Sequence, residues 1–350
     1  MSGVTLPARS SRREPQILWT DTIGDYAIDL AWSRDGTRLA VAAVSGPIHL
    51  FGANERRTTF LEGHEVGTLA IAWHPAEEIL ASAGQDGLVC LWSPERSAPH
   101  TRMEAGAAWV AKVAWHRVAS GPTQLASVAG RKLRLWKDTG DLVRELPEHR
   151  STIADVAWCP NRNLLAVCGY GGVTLWSPAR TDPVRRLRWK GSSLVAAWSP
   201  DRRHLATGEQ DASVHYWDVS TGRDLQMSGY PTKVRELSWD ASGRYLATGG
   251  GTQPVIWDCA GKGPEGRTPL TIDGHDDVLS AVSFAPAGSR LACADQSGRV
   301  TIRDIVGTRP RPPLGALEFG EGVSGLAWSL DARRLAIAGR HGGVALVAVD

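Results

Sequence analysis

An aromatic residue returns at near-constant intervals along the whole chain, at Trp32, Trp73, Trp115, Trp158, Trp198, Trp239, Phe284 and Trp328. The steps are 40–45 residues long. After each aromatic comes a turn and then Leu-Ala, with the leucines at Leu39, Leu80, Leu125, Leu165, Leu205, Leu246, Leu291 and Leu335. The aromatic-to-leucine step is seven residues in every unit but the third, where residues 118–123 hold an insertion with Gly and Pro. A second aromatic closes most units, at Phe51, Trp92, Trp136, Trp176, Trp217 and Trp257, and Arg303 and Val347 take that place in the last two. A period this regular denotes a stacked repeat, and it limits the fold more than any other feature of the chain.

Each unit reads as short strands broken by Gly, Pro, Asp and Ser. In the second, residues 69–73 alternate apolar side chains, His74-Pro75 starts a turn, 79–83 is a further strand, Gln85-Asp86-Gly87 turns tightly, and 88–92 is the next strand. Strands of four to six residues between turn signals predict an all-β protein. One such sheet cannot hide both faces, and radial stacking buries them against each other. The residue before each first aromatic is small: Ala31, Ala72, Ala114, Ala157, Ala197, Ser238, Ser283 and Ala327. That fits inner strands crowding toward an axis. The expected fold is a β-propeller of eight four-stranded blades, with a seven-bladed ring as the alternative. The last unit lacks an outer strand, and residues 16–20 are expected to supply it, joining the two ends of the chain and removing sheet edges. The expected organisation is a disordered basic tail over residues 1–14 and a single domain over 15–350.

These residues resemble the WD40-repeat family, whose units carry Gly-His before the first strand and Trp-Asp after the third. Gly63-His64 and Gly274-His275 match the first signature, and Trp217-Asp218 and Trp257-Asp258 the second. His149 stands in the same register but follows Glu148. The resemblance implies a buried hydrogen-bonded tetrad of His, Ser or Thr, Asp and Trp, and the matching residues are His64, Ser82, Asp86 and Trp92. Buried polar groups must find partners, a carboxylate most of all. Unit five keeps Thr207, Asp211 and Trp217 but has Trp189 in place of His. Unit seven keeps His275 but has Cys293, Ser297 and Arg303. The complete tetrad is therefore expected in unit two alone, with the other units relying on apolar packing.

Acids and bases nearly balance, for a net charge of +2. That argues against a field strong enough to hold nucleic acid. The five cysteines have no paired spacing, so they read as reduced core or turn residues in a reducing compartment. No apolar run approaches a membrane span, and residues 1–16, with Arg9, Arg12 and Arg13, lack the apolar core of a secretory leader. The expected location is cytoplasmic.

Several motifs yield to the repeat. Ser82, His64 and Asp86 have hydrolase residue types, but no GxSxG elbow exists. Residues 261–266, GKGPEG, spell GxGxxG but lead past Pro264 into a strand rather than a helix. His74, His116 and Cys159 each start a turn in a different unit, so no metal site is expected. The basic groups Arg9/Arg12/Arg13, Arg185/Arg186/Arg188 and Arg309/Arg311 read as solvated surface. No converging set of titratable groups lacks a repeat-level explanation, so no enzyme activity and no cofactor are expected. An enzyme site in the central channel and a nucleic-acid-binding propeller are the alternatives.

What remains is the rim carrying the loops into each first strand and the turns between second and third strands. Register places Tyr26, Leu69, Trp109, Lys233 and Arg235 before first strands, and Gln85, Tyr170, Gln210 and Arg340 in the turns. Trp, Tyr and Arg anchor protein interfaces. Trp109 stands out because Gly67, Ser192 and Gly322 occupy comparable places, and it is read either as a partner anchor or as filling the top of its own unit. The expected function is a scaffold that binds a peptide or protein loop on this top face.

Overall fold

The computed structural model describes residues 14–54, 57–116, 122–307 and 309–349. Most of the expected tail, residues 1–13, lies outside them. Among the described residues every regular element is a strand, and no helix is long and apolar enough to cross a membrane.

The eight inner strands succeed one another around an axis, and the last, Val323–Trp328, packs on the first, Ala27–Trp32. The strands pair antiparallel into seven sheets, six of four strands and one of six. The expectation of eight separate blades is thereby corrected, and the number of sheets is that of the seven-bladed alternative. No repeat is left out of the ring. Repeats four and five are fused, because Arg185–Trp198 is one continuous strand. Its first half pairs with Leu165–Trp176 and its second with His204–Glu209. Tyr170 also pairs with Ser192, which carries the ladder through residues that form a loop in other repeats.

Gln16–Thr22 is the outer strand of the last sheet and pairs antiparallel with Gly343–Ala348. The two ends of the described chain therefore share one sheet. Trp19, on this strand, is buried and stacks on Phe51 of the first repeat at 5.3 Å between ring centres.

The leucines that mark the repeat form the dry interior. Leu39 and its seven counterparts are each at most 1% exposed. Burying such a side chain stabilises the fold by roughly 1.5–3 kcal/mol. The clusters around them join consecutive repeats: Ala40, Ile48 and Leu50 of the first pack with Ile71, Trp73 and Leu80 of the second.

The first aromatics do more than fill space. The indole N–H of Trp73 donates to the Ala31 carbonyl at 3.0 Å, Trp115 to Ala72, Trp158 to Ala114, Trp198 to Ala157 and Trp239 to Ala197. Trp328 donates to Ser283, and Trp32 to Ala327 across the closure. Each acceptor is the small residue before the aromatic of the preceding repeat, so its size matters partly because an indole must reach its carbonyl. Phe284 has no such N–H, and there Ser238 Oγ accepts the Phe284 backbone N–H at 2.8 Å.

Candidate functional site

In repeat two the tight turn 85–87 brings Asp86 back over the strand that carries Ser82. Trp92 Nε1 donates to Ser82 Oγ at 2.7 Å, Ser82 Oγ lies 2.7 Å from His64 Nε2, and His64 Nδ1 lies 2.9 Å from both Asp86 oxygens. A neutral ring satisfies the whole chain, donating from Nδ1 to the carboxylate and accepting at Nε2. Burial holds His64 below its ordinary value of 6.5, against the pull of Asp86.

Repeats four to seven carry substitutes for this network, so the expectation that they rely more on apolar packing is corrected there, whereas Phe51 and Val347 close repeats one and eight without a side-chain donor. In repeat seven His275 Nδ1 lies 2.8 Å from Asp295 and Nε2 2.9 Å from Thr301 Oγ1. Asp295 stands two residues before the expected Ser297, and it also accepts the backbone N–H groups of Ser297, Gly298 and Arg299. In repeat five Trp217 donates to Thr207, which donates to the fully buried Glu209, where Ser193 also donates. Burial raises Glu209 above the usual carboxylate range. In repeat six Trp257 donates to Tyr230 Oη at 2.8 Å. In repeat four Trp176 donates directly to His149 Nε2 at 3.0 Å.

His74 and His116 are buried and pack on the next aromatics, Trp115 and Trp158. His74 Nδ1 accepts the N–H groups of Ala76 and Glu77, and His116 Nε2 meets the Arg162 carbonyl at 3.0 Å. Residues 261–266 turn into the Leu270–Thr271 strand. All five cysteines are buried free thiols, and burial pushes Cys90, Cys259 and Cys293 up to about 12 and Cys159 to about 11. Among the described residues no group of three or more His, Cys, Asp or Glu could hold a metal.

The inner strands do bring titratable groups together. Lys112 Nζ lies 3.3 Å from Asp155 Oδ1, and Asp29 acts on Lys112 from the first repeat. Asp155 Oδ2 accepts the Ala196 N–H and Asp29 Oδ2 the Ile71 N–H, each 3.0 Å away on the following inner strand. Each carboxylate thus ties two repeats together beside the channel. Burial raises Asp29, opposed by Lys112. All three residues stand three places before their aromatic, just after a β-bulge that recurs in the inner strands. The shared offset was the available signal, and Ala70, Val195, Ala281 and Gly325 at the same place in other repeats masked it.

The rim is held by one repeated bond. The turn residue's N–H donates to the carbonyl of the loop before the inner strand: Gln85 to Gly67, Gln210 to Ser192, Arg340 to Gly322 and Val44 to Tyr26. Tyr26, Leu69, Gln85 and Arg340 are half-buried, whereas Gln210, Lys233 and Arg235 are exposed. Trp109 is 62% exposed and Tyr170 70%. Trp109 has φ +64°, a conformation that bulky side chains rarely adopt.

The family model described as "WD domain, G-beta repeat" matches residues 55–93, 140–177, 182–218 and 266–304. Protein FIZZY-RELATED 2 of Arabidopsis thaliana is 24% identical over 80% of this chain and 49% of its own length. Nuclear distribution protein PAC1 of Arthroderma benhamiae is 28% identical over 57% of the chain and 45% of its own length. Cell division cycle 20.1, cofactor of APC complex, from Arabidopsis thaliana, is 24% identical over 78% of the chain and 52% of its own length. The chain thus spans about half the length of these curated relatives. Among solved structures, the computationally designed Ika8 protein superposes with a TM-score of 0.81 at 17% identity, covering 95% of this chain and all of that one. Four matched repeats, eight aromatic–leucine pairs in one register and an all-β ring make this chain a member of the WD40-repeat family.

Proposed function

We propose that this protein is a non-enzymatic scaffold that holds a peptide or protein loop on the top rim of its propeller. The observation that carries the reading is Trp109, a bulky side chain kept in a left-handed backbone conformation and turned largely into water. Strain of that kind costs about 1–3 kcal/mol and persists where surrounding structure enforces it. An exposed indole has few torsions to freeze on binding, and Trp is among the residues that anchor interfaces. The hydrogen-bonded rim supports the same reading, since loops that do not reorganise bind at lower cost. One relative is named as a cofactor of the APC complex, and by analogy this chain takes protein partners. The channel carboxylates have structural work as ties between repeats, which favours the scaffold over an enzyme.

The test is affinity capture from the native cell followed by mass spectrometry. It is run with the wild-type chain and with a variant combining Trp109→Ala, Lys233→Glu and Arg235→Glu. Partners lost with an unchanged melting temperature support the proposal. Unchanged capture, or a fall in melting temperature that accounts for the loss, overturns it.

A further inference from the structure

The tetrad of repeat two has a counterpart in repeat four that lacks its acid. The turn there is Tyr170-Gly171-Gly172, one residue shorter between the leucine and the closing tryptophan, and it carries no carboxylate. His149 keeps its place and accepts from Trp176 at Nε2. Because an indole can only donate, this bond fixes His149 as the neutral tautomer with its proton on Nδ1. Among the described residues that Nδ1–H is buried and makes no well-formed hydrogen bond, the Arg131 carbonyl acting on the ring only from a poor geometry, and Trp189 Nε1–H is likewise buried without a partner. Leaving such a donor unmet costs about 1–3 kcal/mol.

Both residues line one cleft of about 770 Å³ that runs along repeat four. Arg150, Arg186, Arg188 and Lys190 line it too, all exposed. None of the four cations has an ion-pair partner among the described residues, although many surface arginines do: Arg131 holds Glu148, Arg134 holds Glu145 and Arg299 holds Glu318. The lining acids are Glu148, already engaged by Arg131, and Asp182. A Cβ built on Gly171 would meet nothing within 4 Å, so the place where a turn acid would project is open. The cleft is rich in donors and poor in acceptors.

We propose that this cleft docks an acidic side chain, an Asp or Glu carboxylate carried on an extended segment of a protein partner, which fills the acceptor position that Asp86 fills internally in repeat two. The positive lining is local, around a cavity with buried donors, and the chain as a whole is nearly neutral. That favours a single acidic peptide over a nucleic-acid backbone, which needs an extended basic track. The site rests on the scaffold reading only in that the partner is a protein, and its position does not depend on the Trp109 rim.

The experiment measures binding of a short fluorescein-labelled peptide rich in Asp and Glu to the full chain, by anisotropy at fixed ionic strength. A Gln-rich peptide of equal length and a single-stranded oligonucleotide are run in parallel. Saturable binding of the acidic peptide is expected, weakened about tenfold by Arg186→Glu with Arg188→Glu and by no more than about twofold by Arg309→Glu with Arg311→Glu, which changes net charge equally. The His149 Nδ1–H resonance should shift as the peptide saturates. The rim variant should bind the peptide as the wild type does. Equal binding of the Gln-rich peptide, tighter binding of the oligonucleotide, equal loss in both charge-reversal variants, an unmoved His149 signal, or loss in the rim variant alone would each overturn the assignment. If the peptide binds as described but rim mutation leaves cellular capture unchanged, the cleft stands and the rim reading fails.

Discussion

The indole N–H of Trp32 donates to the backbone carbonyl of Ala327 at 3.1 Å, a bond between residues 295 positions apart. It closes a belt that runs repeat by repeat around the axis. Trp32→Phe keeps an aromatic ring but removes the donor together with the five-membered ring of the indole. The expected loss is about 1 kcal/mol for the bond plus a packing loss for the missing ring atoms, read from urea unfolding at constant m-value. An unchanged midpoint would show that closure does not rest on this bond.

Phe284 is the natural gap in that belt, since it offers no side-chain donor to the Ser238 carbonyl. Phe284→Trp is expected to add the missing bond and raise the melting temperature, provided Ser238 Oγ can release the Phe284 backbone N–H it now accepts. Differential scanning calorimetry decides this. A fall in stability would mean that the pocket around residue 284, beside Leu291 and Ile305, has no room for an indole.

The strand Gln16–Thr22 supplies the last sheet with its outer edge. Deleting residues 1–21 should abolish a single cooperative transition, because Trp19 then leaves Phe51 without its stacking partner and Gly343–Ala348 becomes a bare edge. A truncated chain that melts like the parent would sink the closure account.

Acid should weaken the fold before any carboxylate is protonated in the unfolded chain. Burial holds His64, His149 and His275 below their ordinary value of 6.5. In the unfolded chain these rings take up protons as pH drops below 6.5, while the folded chain resists doing so. Their contribution is therefore present above pH 6.5 and is lost as pH falls toward the depressed folded values. Melting temperatures measured between pH 8 and pH 5 should decline on the acid side. The decline should be smaller in a His64→Gln, His275→Gln variant, even though its starting stability is lower. An identical slope in both proteins would assign the acid sensitivity elsewhere.

Lys112 sits between the acids that tie neighbouring inner strands. Lys112→Met should destabilise the protein by leaving Asp155 buried without its cation. Adding Asp29→Asn to that variant should recover part of the loss by removing the other nearby negative charge. A double-mutant cycle with no coupling between positions 29 and 112 would show that the cluster does not act as one unit.

The repeat made the ring legible because its aromatics and leucines each have one physical task, set by a fixed spacing. Polar positions were less legible. Asp86 could be placed by register, whereas Asp295 does comparable work from two residues earlier, and Glu209 does so from the last residue of a strand. Hydrogen bonds need an acceptor at a point in space, and several sequence positions can reach that point. The fusion of repeats four and five escaped for a related reason, since a loop and a continued strand differ in backbone path more than in composition. The vacancy beside His149 was hidden because an absent acid leaves only two glycines behind.

Gln16 lies opposite Ala348. A short linker across that gap would yield an unbroken circle, which could be cut at a different surface turn without removing any ladder of hydrogen bonds. A gene rearranged in this way should encode the same wheel with its seam moved. Tags or fused modules could then leave from the face opposite the rim, whichever repeat is chosen to carry the seam.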